Sequence, residues 1–157
     1  MKKKIAIIEY NTGNVSAISN MLSKINEKSV ITSDPKIIED SEIIILPGVG
    51  SFDRAIKKLE EKNLIDILKL KISENTKILG ICLGMQILTL GSEEGDKEGL
   101  KVFDTYCKSF NKQNSKDIFM GWSNTKVKKN KNKFDFLNKN KFYFLHKYYF
   151  PYHQDYT

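Results

Sequence analysis

The 157 residues, 40% of them hydrophobic with only 9 Gly and 3 Pro, fit one globular domain and exclude collagen-like, mucin-like and wholly disordered classes. The formal net charge of +7 is uneven: residues 1–100 carry 14 basic against 15 acidic side chains and residues 101–157 carry 12 against 4, and 25 of the 26 basic residues are Lys, with Arg54 the only arginine. A nucleic-acid footprint would want arginine for bidentate phosphate and base contacts, so lysines spread through Asn-rich sequence such as 126–133 read as solvated surface, and no nucleic-acid partner is expected.

In chain order, Met1-Lys2-Lys3-Lys4 before Ile5 to Ile8 mimics the positive end of a signal peptide. Its apolar run stops at Glu9, short of the roughly 7–15 residues that a signal needs. No other run approaches the roughly 20 residues of a membrane span. Two cysteines, Cys82 and Cys107, permit at most one disulfide and show no C-x-x-C spacing, so a reduced, cytoplasmic protein with no membrane, metal or cofactor is expected.

Ile5 to Ile8 has the unbroken apolar character of a parallel strand buried on both faces, and the polar turn 11–14 ends it. Val15, Ile18, Met21, Leu22 and Ile25 recur at helical spacing. Ser29 to Thr32 reads as a second strand, and Asp34-Pro35 as a helix start with Asp as N-cap. Glu42 to Leu46 is the next strand, followed by the tight turn Pro47-Gly48-Val49-Gly50 and helical sequence from about Asp53 to Ser73 that breaks near Asn63. Thr76 to Ile81 is a further strand, and Gly84 to Leu90 a helix. The alternation predicts a three-layer α/β sandwich on a mainly parallel sheet, with sites at the carboxyl ends of strands. Beyond residue 100, strands at 100–103, 106–110 and 141–149 suggest an antiparallel C-terminal extension, with neither a separate domain nor an internal repeat.

Two strand ends stand out, the turn at 47–50 and Cys82. Gly80-Ile81-Cys82-Leu83-Gly84 has the form G-x-C-x-G between a strand and a helix, the thiol counterpart of the G-x-S-x-G nucleophile elbow. The glycines permit a sharp turn that exposes the side chain, and the following helix start favours an anion. On these five residues alone, a small buried hydrophobe fits Cys82 equally well. Cys107, with no glycine beside it, reads as structural.

The longer string Gly80 to Leu88 resembles the nucleophile motif of class I glutamine amidotransferases. Tyr10 to Asn14, Leu46 to Phe52, Ser92-Glu93-Glu94, Met120-Gly121-Trp122 and Phe142 to His146 occur in the same order in one subfamily, the glutaminase subunits of imidazole glycerol phosphate synthase. The resemblance runs from Lys4 to Tyr149. It implies the flavodoxin-like amidotransferase fold over 1–157 as a single domain, and hydrolysis of glutamine. Cys82 is then the nucleophile, and the backbone of Leu83 with the Val49–Gly50 segment forms the oxyanion hole. Gly48 and Gln86 hold the substrate, and His146 lines its site. The implied partner is a (β/α)8-barrel cyclase that uses the ammonia in histidine biosynthesis; a variant serves bacterial surface-sugar synthesis. Read from the residues alone, Gln86 fits a solvated helix position and His146, ending an aromatic run, a packing residue.

There are departures from the family pattern. Lys147 stands where the family has Ser or Thr after the histidine, and Ile118, Phe119 and Ser123 replace three residues of its Pro-His-Met-Gly-Trp-Asn string. The H-P-E motif that carries the family's general base and its orienting glutamate does not occur. His153-Gln154-Asp155 has an H-x-acid spacing but follows Pro151 where the family has a surface loop. The sequence therefore reads as lacking the family's C-terminal segment. That implies an activity loss on the order of 10²–10⁴ or a non-catalytic remnant, with an exposed sheet edge and an apolar patch near 142–150.

Overall fold

The structure, a computed structural model, describes residues 4–110, 119–127 and 132–151. They fall into two compact units: the first runs to Lys108 and takes in Phe150, and the second is Ser109–Tyr149.

The first unit is built on four short strands, β1 (Ile5–Ile8), β2 (Ser29–Thr32), β3 (Ile43–Leu46) and β4 (Lys77–Gly80), in the order β2-β1-β3-β4. All neighbours are parallel and in simple register, Ile5 beside Ser29 and Ile43, and Leu46 beside Gly80. Because side chains alternate along a strand, continuous aliphatic runs feed both faces. Ile5, Ile7 and Ile45 pack with Val15, Ile18 and Leu22 of helix α1 (Val15–Lys24). Ala6, Ile8, Ile44 and Leu46 turn the other way. They meet Ile38 of α2 (Pro35–Glu39), Phe52, Ile56 and Leu59 of α3 (Phe52–Glu61), Leu68 of α4 (Ile65–Ser73) and Leu83 and Ile87 of α5 (Leu83–Ile87). That is the expected three-layer arrangement. It is lopsided: α1 contributes no fully buried residue and leaves Met21 and Ile25 exposed, so only part of its predicted stripe is covered.

Helix ends follow their sequence signals. Asn14 and Asp34 cap α1 and α2 by accepting from the amides of Ala17 (3.1 Å) and Lys36 (2.9 Å). Three helices stop in the same way, with an asparagine in the left-handed region at Asn26, Asn63 and Asn75. In each, that amide and the next bond back to the last turn: Asn26 to Ser23 and Glu27 to Leu22, Asn63 to Glu60 and Leu64 to Leu59, Asn75 to Ile72 and Thr76 to Lys71. This is a Schellman motif with Asn in the place usually taken by Gly.

The helix after Cys82 is shorter than its sequence suggests, and β5 (Thr89–Ser92) begins where helix was expected. Thr89, β-branched and fully buried, turns its hydroxyl to the Gln86 and Gly91 carbonyls (2.7 and 2.8 Å). Residues 100–102 are loop rather than strand. The amides of Leu100, Val102 and Phe103 return to the carbonyls of Ile87 and Leu88, which the end of α5 leaves without helical partners. The strand expected over 106–110 is longer, β6 (Phe103–Ser109), and it pairs parallel with β5, not antiparallel.

The second unit holds the antiparallel extension. β7 (Phe119–Asn124), not foreseen from the sequence, pairs with β8 (Lys141–His146) from Phe119↔His146 to Asn124↔Lys141. A 3-10 helix at Asn132–Lys139 lies between them in the chain, and Lys147 separates β8 from β9 (Tyr148–Tyr149). Among the described residues no helix is long and apolar enough to cross a membrane.

Candidate active site

β3 and β4 are neighbours, so the segments leaving their carboxyl ends start side by side. The Ile81 amide donates to the Leu46 carbonyl (3.0 Å), carrying the ladder one residue past β4. Cys82 then breaks away with φ +55° and ψ −113°. A non-glycine residue holds such a conformation at a cost on the order of 1–3 kcal/mol, supported by what surrounds it. Here the support is α5, whose Met85 and Gln86 amides both donate to the Cys82 carbonyl (3.0 and 3.3 Å). Leu83 opens that helix and has no intrahelical acceptor for its N–H. Cys82 is exposed.

The flanking glycines are required by space as well as by the turn. A Cβ on Gly84 would lie 1.7 Å from the Leu46 carbonyl oxygen, and one on Gly80 would lie 2.7 Å from the Gly84 carbonyl oxygen and the Met85 backbone. Strand and helix are thus in backbone contact on either side of the thiol. Cys107 is the opposite case. It is fully buried, with its Sγ 4.0 Å from both Met85 Sδ and the Thr89 hydroxyl, and burial pushes its thiol up to about 11 against the lowering effect of that hydroxyl. Its environment is that of a core residue, as the sequence suggests.

The turn after β3 is pressed onto the elbow. A Cβ on Gly48 would meet Tyr10 Oη at 2.7 Å, Leu83 Cβ at 2.9 Å and the Gly84 amide nitrogen at 3.1 Å. Val49 is exposed, and Gly50 has φ +107° with open space around it. Gln86 is buried, so it is not a solvated helix residue, and its Oε1 accepts from the Ser92 hydroxyl (2.8 Å). The structure therefore gathers Gly48, Val49, Gly50, Cys82, Leu83 and Gln86 at one end of the first unit. His146 belongs to the second unit, where its ring lies 5.0 Å from Phe110 and 5.7 Å from Phe144. His153, Gln154 and Asp155 lie outside the described residues. Among the described residues, no histidine belongs to the unit that holds Cys82.

Two residues at this end were not singled out from the sequence. Tyr10, fully buried at the end of β1, donates its hydroxyl to the Pro47 carbonyl. Burial raises its phenol to about 12; the Thr12 hydroxyl opposes the rise, and the nearby Cys82 and Glu9 add to it. Ser92 holds Gln86. Both stand in strings that carry the family resemblance, which was the available signal, but neither is a residue type whose placement alone suggests a role.

The chain matches the family model for class-I glutamine amidotransferase over residues 6–154. It is 48% identical over 124 residues to imidazole glycerol phosphate synthase subunit HisH 2 of Methanococcus maripaludis (78% of this chain, 61% of the relative). It is 44% identical over 124 residues to the corresponding hisH subunit of Cyanidium caldarium (77% and 58%). A solved structure described as a glutamine amidotransferase superposes with a TM-score of 0.61 at 15% identity, covering 74% of this chain and 62% of its own. The chain belongs to the class I glutamine amidotransferases. It spans about three fifths of the length of the curated relatives it matches.

Proposed function

We propose that this protein is the glutaminase component of an imidazole glycerol phosphate synthase. In this reading it hydrolyses glutamine to glutamate and ammonia in the cytoplasm and delivers the ammonia to a (β/α)8-barrel cyclase in histidine biosynthesis. The observation that carries the reading is the exposed Cys82 on its strained elbow, held against the turn after β3. The relatives' names supply the pathway.

The chemistry fits the parts. The Cys82 sulfur, as thiolate, adds to the carboxamide carbon of glutamine and the carbonyl π electrons move onto oxygen. The Leu83 N–H at the head of α5 and the Val49–Gly50 peptide are the donors for that oxyanion. Collapse breaks the C–N bond, and the nitrogen takes a proton from water as it leaves as ammonia. Water then attacks the thioester, giving glutamate and returning the thiol. Gly48 lets the turn pack directly on the elbow, and in this reading Gly48 and Gln86, whose Oε1 accepts from the Ser92 hydroxyl, hold the substrate glutamine.

The ribbon of the second unit carries an exposed apolar face. Pairs Met120↔Leu145 and Trp122↔Tyr143 share one face of the two-stranded ribbon. All four side chains are exposed, Trp122 at 70%, with the Trp122 and Tyr143 rings edge to face at 5.7 Å. A contiguous apolar face of this kind suits a protein partner, which this reading identifies as the cyclase barrel.

The test is ammonia release from glutamine by the chain, alone and mixed with a barrel cyclase, for wild type and Cys82→Ala. Release that requires Cys82 and rises with the cyclase is expected. Release unaffected by Cys82→Ala overturns the reading.

A further inference from the structure

The turn after β3 has two dissimilar halves. Its first half is clamped on every side: the Pro47 carbonyl accepts from the Tyr10 hydroxyl, and Gly48 is packed against Tyr10, Leu83 and Gly84. Gly13 adds to the clamp, since a Cβ there would sit 3.2 Å from Pro47 Cβ and 3.3 Å from the Gly48 nitrogen. The second half is open, with Val49 62% exposed and free space around Gly50. Whatever fixes the Pro47–Gly48 peptide therefore sets the direction in which Val49 and Gly50 leave it.

We propose that Tyr10 is a positioning residue for the Cys82 site: its buried hydroxyl, bonded to the Pro47 carbonyl, latches the turn against the elbow so that the Val49–Gly50 peptide meets the developing oxyanion. The catalytic half of this proposal rests on the glutaminase reading; the latch itself does not. Tyr10 is well placed for the task. The segment that follows it is itself tied down, with the Asn11 amide donating to Glu9 Oε1 (2.6 Å) and Lys58 Nζ to the Asn11 carbonyl (2.7 Å). A phenol held protonated to about pH 12 stays a donor throughout the working range. A phenylalanine would fill the same core space and leave the Pro47 carbonyl without its partner.

The experiment compares wild type with Tyr10→Phe by three measurements. Amide hydrogen exchange, read on peptides spanning residues 46–52 and, as a control, α1, reports the latch. Labelling of Cys82 by 6-diazo-5-oxo-L-norleucine, a glutamine-shaped diazoketone, is set against labelling by iodoacetamide, which needs no oxyanion donor. Thermal unfolding reports overall stability. The latch predicts that Tyr10→Phe speeds exchange at 46–52 by about tenfold, the equivalent of one lost hydrogen bond, and leaves α1 unchanged. It predicts a comparable slowing of diazoketone labelling, with iodoacetamide unaffected within about twofold. Unchanged exchange at the turn, equal slowing of both reagents, or failure of the variant to fold would each overturn the proposal, the last two by making the hydroxyl a general structural element. A wild type that reacts with iodoacetamide but not with the diazoketone sinks the glutaminase reading instead, and the exchange data alone then decide the latch.

Discussion

In the unit that holds Cys82, aliphatic side chains at successive strand positions are taken up on both faces of a parallel sheet, and Ala6, Ile7, Ile8, Ile44 and Leu46 have no measurable exposure. In the Ser109–Tyr149 unit the same alternation of apolar residues leaves Met120, Trp122, Tyr143 and Leu145 facing outward from a two-stranded ribbon. Two strands have too little area to bury a face by themselves. The contrast separates two placements of hydrophobic surface: in the first unit it holds the backbone geometry around a thiol, and in the second it is left exposed.

The most severe way to break this contrast is Gly84→Ala. A methyl group driven to within 1.7 Å of the Leu46 carbonyl oxygen must separate α5 from β3, and a loss of at least about 3 kcal/mol is expected, read as a thermal midpoint lowered by more than about 8 °C. Alkaline pH comes next and also strikes the first unit. Tyr10 and Cys107 both have folded-state values raised above their ordinary ones, from 10.0 to about 12 and from 9.0 to about 11. The stability each contributes is complete below its unfolded value and is lost as pH rises through the folded one. Stability should therefore fall between pH 9 and 12, by on the order of 2–3 kcal/mol per group. Cys107→Ala should flatten the lower part of that fall and Tyr10→Phe the upper part.

The ribbon should respond in the opposite sense. Trp122→Ala is expected to change the unfolding free energy by less than about 0.5 kcal/mol while weakening binding of a barrel cyclase at least tenfold, since exposed aromatic anchors dominate such interfaces. Calorimetry of the variant and titration with the cyclase check both halves; a marked loss of stability would show that Trp122 is packed within its own unit. The smallest effect is a gain. Asn26→Gly, Asn63→Gly and Asn75→Gly relieve left-handed backbone at three helix ends, each worth about 0.5 kcal/mol, and together they should raise the midpoint by a few degrees.

Much of the first unit is legible in the sequence because its signals are local. Unbroken aliphatic runs, Asp34-Pro35 and the G-x-C-x-G string each specify their own stretch of backbone, and β1 to β4 fall where those signals put them. The signals fail where hydrogen bonds around the end of α5 decide. Thr89 ends α5 through a hydroxyl bond, and residues 100–103 give their amides to the end of that helix, so no strand begins at Leu100. The site shows the same division. Cys82, Gly48 and Gly50 are visible from turn chemistry. Tyr10 as partner of the Pro47 carbonyl depends on a contact between the segments after β1 and β3, and Ser92 as partner of Gln86 on one between β5 and α5, neither of which residue spacing encodes. Gln86, which the residues alone left open to solvent, is buried by the packing of α5 on β5.

The conformation of Cys82 has an evolutionary side. A backbone held at φ +55° and ψ −113° suits glycine better than any residue with a side chain, and a cysteine codon is a single base change from a glycine codon. Relaxation of the fold is thus always within easy mutational reach at this position, and taking it would remove the thiol. A lineage that keeps cysteine there forgoes stability in every generation, and that retained deficit can be weighed in the laboratory by melting Cys82→Gly beside the wild type.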